Sequence, residues 1–179
     1  MLAVVLGIIN SSWFSFFSNQ IEVSEVNLGI GQNTIKFKYN RKDQEIAYKI
    51  WVELNTRKIG LEFERDYDVI VEVYNSWYSF FGIARELLKE MPCEKLKHSE
   101  NLVILTIQVL NIGLRPHLTQ WQAKFRKWYD IECENNKNLS PQEIQKKYPE
   151  YDLLLTDLIK TNENMIYYRN LMKEIAFKS

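Results

Sequence analysis

Between residues 101 and 129 the chain holds no acidic side chain, while Arg115, His117, Lys124, Arg126 and Lys127 alternate with Trp121, Phe125, Trp128 and Tyr129. Cations neutralise phosphates and aromatic faces stack on bases, so this mixture suits a short single-stranded nucleic acid or a nucleotide. The same spacing supports a second reading. Trp121, Phe125 and Trp128 fall at i, i+4 and i+7, the spacing of a buried helical stripe, which would turn Lys124 and Lys127 outward as an ordinary solvated face. Arg57 and Lys58 add two candidate ligand cations; at the end of a helix they also complement its dipole.

Other chemistry is poorly provided for. His98 and His117 are the only histidines, and neither lies in an HExxH motif or near a cysteine at metal-ligand spacing. P-loop, GxSxG and CxxC motifs are missing, so neither metal, cofactor nor catalytic residue is expected and the chain reads as a non-enzyme. Arg115-Pro116-His117 has the residue types of the Arg-x4-6-His motif of helical antiviral ribonucleases at the wrong spacing. Gly29-Ile30-Gly31 lacks the third glycine and the following helix of a dinucleotide loop. Residues 130–163 carry eight acids against four lysines, either a solvated face or a surface complementary to the basic segment of a neighbouring subunit.

The elements that must position these residues begin with an asymmetry. Residues 1–17 are uncharged, and all 46 charged side chains follow them. As a helix this stretch would be about 26 Å long against a hydrocarbon core of about 30 Å, enough for a transmembrane segment over 1–18 if the bilayer thins or several copies assemble. Trp13, Phe14, Phe16 and Phe17 gather at one end, where an interfacial aromatic belt belongs. A secretory signal would want a preceding cation and a small-x-small cleavage site; a buried core helix is the remaining reading. Asn10, Ser11 and Ser12 interrupt the run. Polar groups at membrane depth usually face protein or water, which makes these three the candidate pore-lining residues of an oligomer.

The remaining residues, 19–179, have the composition of one soluble domain, with 46% apolar and 26% charged residues and zero net charge over the whole chain. Bulk charge therefore selects neither nucleic acid nor acidic lipid. Cys93 and Cys133 are the only cysteines, too far apart in sequence for a paired motif, which suits reduced thiols and a cytoplasmic domain. Alternating residues around Gly29 predict a β-hairpin over 21–39. Helical periodicity then runs from Asp43 to a stop at Gly60, over 66–91, and from a Ser99 cap to about 114, where Pro116 should break or kink the helix. The pattern resumes through Trp128; Ser140-Pro141-Gln142-Glu143 forms a capping box, and a last helix spans 149–176. The expected fold is mainly α: an N-terminal membrane helix, a short hairpin and a bundle of about five helices.

Three segments carry a resemblance: Tyr48-Lys49-Ile50-Trp51-Val52-Glu53-Leu54-Asn55-Thr56-Arg57, the run from Tyr74-Asn75-Ser76-Trp77 through Gly82-Ile83-Ala84-Arg85-Glu86-Leu87, and Leu114-Arg115-Pro116-His117-Leu118-Thr119-Gln120-Trp121-Gln122. They resemble small bacterial antiphage-defence proteins with an N-terminal membrane segment, in particular the membrane effector of the Hailong system and, second, the membrane-bound cyclic-oligonucleotide effectors of type III CRISPR systems. The resemblance implies a signal-gated channel in the inner membrane: a homo-oligomer, for instance a tetramer, whose cytoplasmic domains bind an oligonucleotide second messenger made by a nucleotidyltransferase or polymerase encoded nearby, opening single-pass anchors to depolarise the infected cell. An anchored protein-interaction scaffold and a membrane-bound nuclease are the competing expectations.

Overall fold

The computed structural model describes residues 28–30, 33–35 and 39–177. The N-terminal membrane segment, Asn10, Ser11, Ser12 and most of the expected ribbon lie outside them. Strands β1 (Leu28–Ile30) and β2 (Asn33–Ile35) pair antiparallel with Gly29 opposite Thr34. All other regular structure among the described residues is helical.

Asn40 sets the start of the bundle. Its side chain accepts the backbone N–H groups of Lys42 (2.8 Å) and Asp43 (3.2 Å), and Asp43 Oδ2 accepts the Asn40 N–H in return (2.8 Å). This reciprocal cap starts helix α1, Arg41–Thr56, two residues before the apolar periodicity does. Burial raises the Asp43 carboxyl above its ordinary pKa, opposed by bonds from Ser99 and the Asn40 N–H. Ile46, Ala47, Ile50 and Leu54 form the inner face of α1.

The chain leaves α1 in a tight loop. A Cβ on Gly60 would sit 2.1 Å from the Leu54 carbonyl oxygen, so only glycine permits this close approach. Helix α2, Ile70–Lys89, starts four residues later than its periodicity suggested. Val69 offers no capping side chain, and the Ile70 N–H donates instead to Gln145 Oε1 (2.9 Å), whose Nε2 donates to the Asp68 carbonyl (2.9 Å). Trp77, Tyr74 and Phe80 on α2 are fully buried.

A 3-10 turn at Cys93–Lys95 leads into helix α3, residues 96–135. One expectation is corrected here, and of the break or kink expected at Pro116 the break is excluded. Ser99 does not cap this helix but lies buried within it, its Oγ accepting from Asn40 Nδ2 (2.9 Å). Nor does the helix break at Pro116. It is α over Leu96–Gln108, widens to π over Val109–Leu114, returns to α over Arg115–His117, widens again over Leu118–Gln122 and ends as α over Ala123–Asn135. The Arg115 N–H donates to the Leu110 carbonyl, five residues back. Proline has no N–H and its ring crowds the carbonyl four residues earlier; widened turns accommodate it without ending the helix.

Ser140 and Glu143 form the expected capping box of the short helix α4, Pro141–Gln145. Helix α5, Tyr151–Phe177, completes the bundle and packs along α1 more extensively than any other pair of elements. Asn162 joins α5 to the loop after α1: its Nδ2 donates to the carbonyls of Ile59 (3.1 Å) and Leu61 (3.0 Å), and its Oδ1 accepts the Phe63 N–H (3.1 Å).

Among the described residues one helix, Ser99–Asn135, is long and apolar enough to cross a membrane. Some 44% of its most apolar stretch is buried in the bundle, so core packing accounts for much of that apolarity. Cys93 is exposed and Cys133 half-buried, both free.

Candidate functional site around helix α3

His117 lies on the α turn between the two widened segments of α3 and is buried. It is 2% exposed and is held on both ring nitrogens: Nδ1 lies 2.7 Å from Asp157 Oδ2 on α5, and Nε2 lies 3.1 Å from the Tyr74 hydroxyl on α2. Burial raises the Tyr74 phenol far above its ordinary pKa, with Asp157 adding to the effect, so the phenol keeps its proton and donates to Nε2. Burial likewise lowers the His117 pKa, opposed by Asp157. The neutral ring then has one consistent tautomer, with Nδ1–H donating to Asp157 and Nε2 accepting from Tyr74. Trp121 Nε1–H donates to the same carboxylate oxygen (2.9 Å). The Trp77 and Tyr74 rings pack at 5.4 and 5.6 Å from the imidazole.

A Tyr-His-Asp chain has the order of an acid–base relay, but its outer oxygen, on Tyr74, has no exposed surface. Only Asp157 reaches solvent, its side chain being 40% exposed. The arrangement therefore ties α2, α3 and α5 together through satisfied polar groups. A second polar tie lies nearby in the core: the Thr106 hydroxyl donates to the Leu102 carbonyl (2.8 Å) and meets the Tyr168 hydroxyl of α5 (2.8 Å).

The opposite face of α3 is basic. Arg115, Lys124 and Lys127 are exposed and Arg126 is half-buried. Arg115 lies over the Phe81 ring (4.7 Å to the centroid) and donates to Asn111 Oδ1 (3.1 Å). Arg126 donates to Asn75 Oδ1 on α2 (2.9 Å). Arg115 and His117 thus point to different sides of the helix and do not meet. Arg57, from the end of α1, pairs with Glu53 and reaches Ser79 Oγ on α2 (3.3 Å). Burial lowers the Lys58 pKa, but the carboxylates of Asp68 (2.9 Å) and Glu64 (3.2 Å) together outweigh it and hold the ammonium above its ordinary value.

The candidate residues therefore divide. His117 and Trp121 converge on the half-exposed Asp157; Arg57 and Arg126 each bond α2; Arg115, Lys124 and Lys127 stand exposed on α3; Lys58 braces a loop. Tyr74 and Asp157 escaped sequence reasoning. Both sit in helical patterns that already account for them, and only a lone histidine on an otherwise apolar face hinted that partners were needed. Among the described residues no group of three His, Cys, Asp or Glu side chains could hold a metal ion. Comparison with family models, characterised proteins and solved structures finds no match to this chain.

Proposed function

We propose that the chain is a membrane-anchored, homo-oligomeric antiphage effector whose helical domain binds an oligonucleotide messenger on the outer side of α3 and gates an N-terminal channel. One observation carries the ligand-binding part. Arg115, Lys124, Arg126 and Lys127 lie within thirteen residues of one helix, with no acidic residue between them, and make no ion pair among the described residues. A run of cations without carboxylate partners on one helix is the surface that a polyphosphate strand would neutralise.

The route from ligand to anchor follows the bundle. His117 and Trp121 link α3 to Asp157 of α5; α5 lies along α1; and α1 follows directly on the N-terminal region. The uncharged stretch 1–17 and its Asn10, Ser11 and Ser12 supply the anchor and pore lining in this proposal.

A protein-interaction scaffold is the second reading, favoured by the exposure of Ile107 (43%), Ile112 (46%) and Ile131 (50%) on the same helix. Ion flux separates the two. Full-length protein in liposomes should pass ions when short oligonucleotides are added, and Asn10→Leu should weaken that flux while leaving the protein in the membrane. Flux that never responds to oligonucleotides would remove gating and leave the scaffold.

A further inference from the structure

Helix α3 carries an uncharged stretch that is apolar on both sides. Residues 101–114 hold no charged side chain, and the stretch is bracketed by Glu100 and Arg115. Its inner face enters the core through Leu102, Leu105, Val109 and Leu110. On the outer face Ile107 is 43% and Ile112 46% exposed, and Val103 and Ile104 are half-buried. Residues three or four apart share a helical face, so Glu100, Val103, Ile107, Asn111 and Arg115 form one outward line about 22 Å long.

The two charges that close this line are opposite in sign, and neither makes an ion pair among the described residues. Glu100 is exposed. Arg115 donates from Nε to Asn111 Oδ1 (3.1 Å) and lies over the Phe81 ring (4.7 Å to the centroid), contacts that fix its direction and leave the carboxylate-binding edge of the guanidinium open. Two features favour a protein partner over lipid here: the exposed Asn111 interrupts the apolar line, and opposite charges stand at its two ends. A second copy of the same helix, turned end for end, matches both ends at once.

We infer that this face is a contact between two copies of the chain, packed antiparallel about a two-fold axis that crosses α3 between Ile107 and Gln108. In that register Glu100 of each copy stands opposite Arg115 of the other, Val103 stands opposite Ile112, and the two Ile107 side chains meet beside the axis. Parallel packing would instead set Glu100 against Glu100 and Arg115 against Arg115. The contact rests on the homo-oligomeric reading above; it takes Arg115 into the interface and leaves Lys124, Arg126 and Lys127 of each copy to the ligand. Rotation about an axis leaves height along that axis unchanged, so an axis along the membrane normal keeps both N-terminal regions at one face of the bilayer.

The test is oxidative cross-linking of full-length protein in detergent, in a Cys93→Ser, Cys133→Ser background. Ile107→Cys should close into a covalent dimer, which requires the two Cα atoms to lie within about 7 Å, whereas Lys173→Cys, exposed on α5, should not. Added to Ile107→Cys, Glu100→Arg and Arg115→Glu should each slow the cross-link about tenfold by setting like charges together, and the two combined should restore it to within about twofold. Equal cross-linking at positions 107 and 173, or a double reversal no faster than the single ones, would overturn the contact. So would an Ile107→Cys thiol that stays monomeric and is shielded from a water-soluble maleimide only in liposomes, which would assign the face to lipid. Native mass spectrometry of the parent separates the two failures: an oligomer without the cross-link removes this contact alone, and a monomer removes the homo-oligomeric effector with it.

Discussion

The seam between α1 and α5 and the junction of α2, α3 and α5 solve the same packing problem in different ways. Along the first, apolar residues of two regular helices face inward, and polar bonding is confined to one end, where Asn162 and Arg169 hold the loop: Arg169 Nη1 donates to the Gly60 carbonyl (2.8 Å). At the second, α3 abandons regular geometry twice, and a buried tyrosine, histidine and tryptophan are linked to an aspartate at the surface. A regular seam needs no widened turn. Polar groups placed at depth are costly unless every one is satisfied, and widened helical turns recur at functional positions. In the function proposed above, the α1–α5 seam supplies support and α3 the response to ligand.

The largest effect should come from breaking the irregular junction. Trp77 is fully buried and packs 5.4 Å from His117; Trp77→Ala should cost about 3–5 kcal/mol in chemical denaturation. A loss under about 1 kcal/mol would mean that the junction contributes little to the core. Next in size is the regular seam. Asn162→Leu removes the partner of four buried or half-buried backbone groups and should cost about 2–3 kcal/mol, without altering ligand binding. Loss of binding in that variant would erase the division of labour between the two regions.

A smaller effect distinguishes the polar junction by pH. His117 has a pKa lowered below 6.5 in the folded protein, so the unfolded chain takes up a proton that the native ring resists. Its contribution to stability is complete above the unfolded pKa and is lost as pH falls through and below about 6.5. Asp157→Asn removes the carboxylate that opposes this shift and should lower the His117 pKa further, as read from ring proton titration by NMR. A His117 that titrates at the free-histidine value would contradict its burial. The smallest stability effect belongs to the basic face: Lys124→Gln with Lys127→Gln should change unfolding free energy by less than about 0.5 kcal/mol.

Much of the helical framework was legible in the residues. Ile46, Ile50 and Leu54, the Trp77 stripe and the Ser140–Glu143 box each obey a local rule, and each lies where that rule puts it. What local rules missed depends on partners distant in sequence. Gln145 caps α2 from 75 residues away, Asn40 binds Ser99 inside α3, and Pro116 is absorbed by widened turns that no periodicity of 3.6 anticipates. The candidate site shows the same limit. The stripe of Trp121 and Phe125 at core spacing is buried as that spacing suggests, and the outward Lys124 and Lys127 are exposed. That Arg57 bonds Ser79 and Arg126 bonds Asn75, both on α2, requires three helices to be in place and has no signature in any one of them.

Oligonucleotide binding as a function of salt tests the central claim most directly. Full-length protein and a labelled short single strand, titrated by anisotropy from low to physiological ionic strength, should bind with a log–log salt slope of about −2 to −3 if three or four cations meet phosphates, and the double substitution of Lys124 and Lys127 should flatten it. No binding at low salt, or binding indifferent to salt, would contradict a phosphate-reading surface on this bundle.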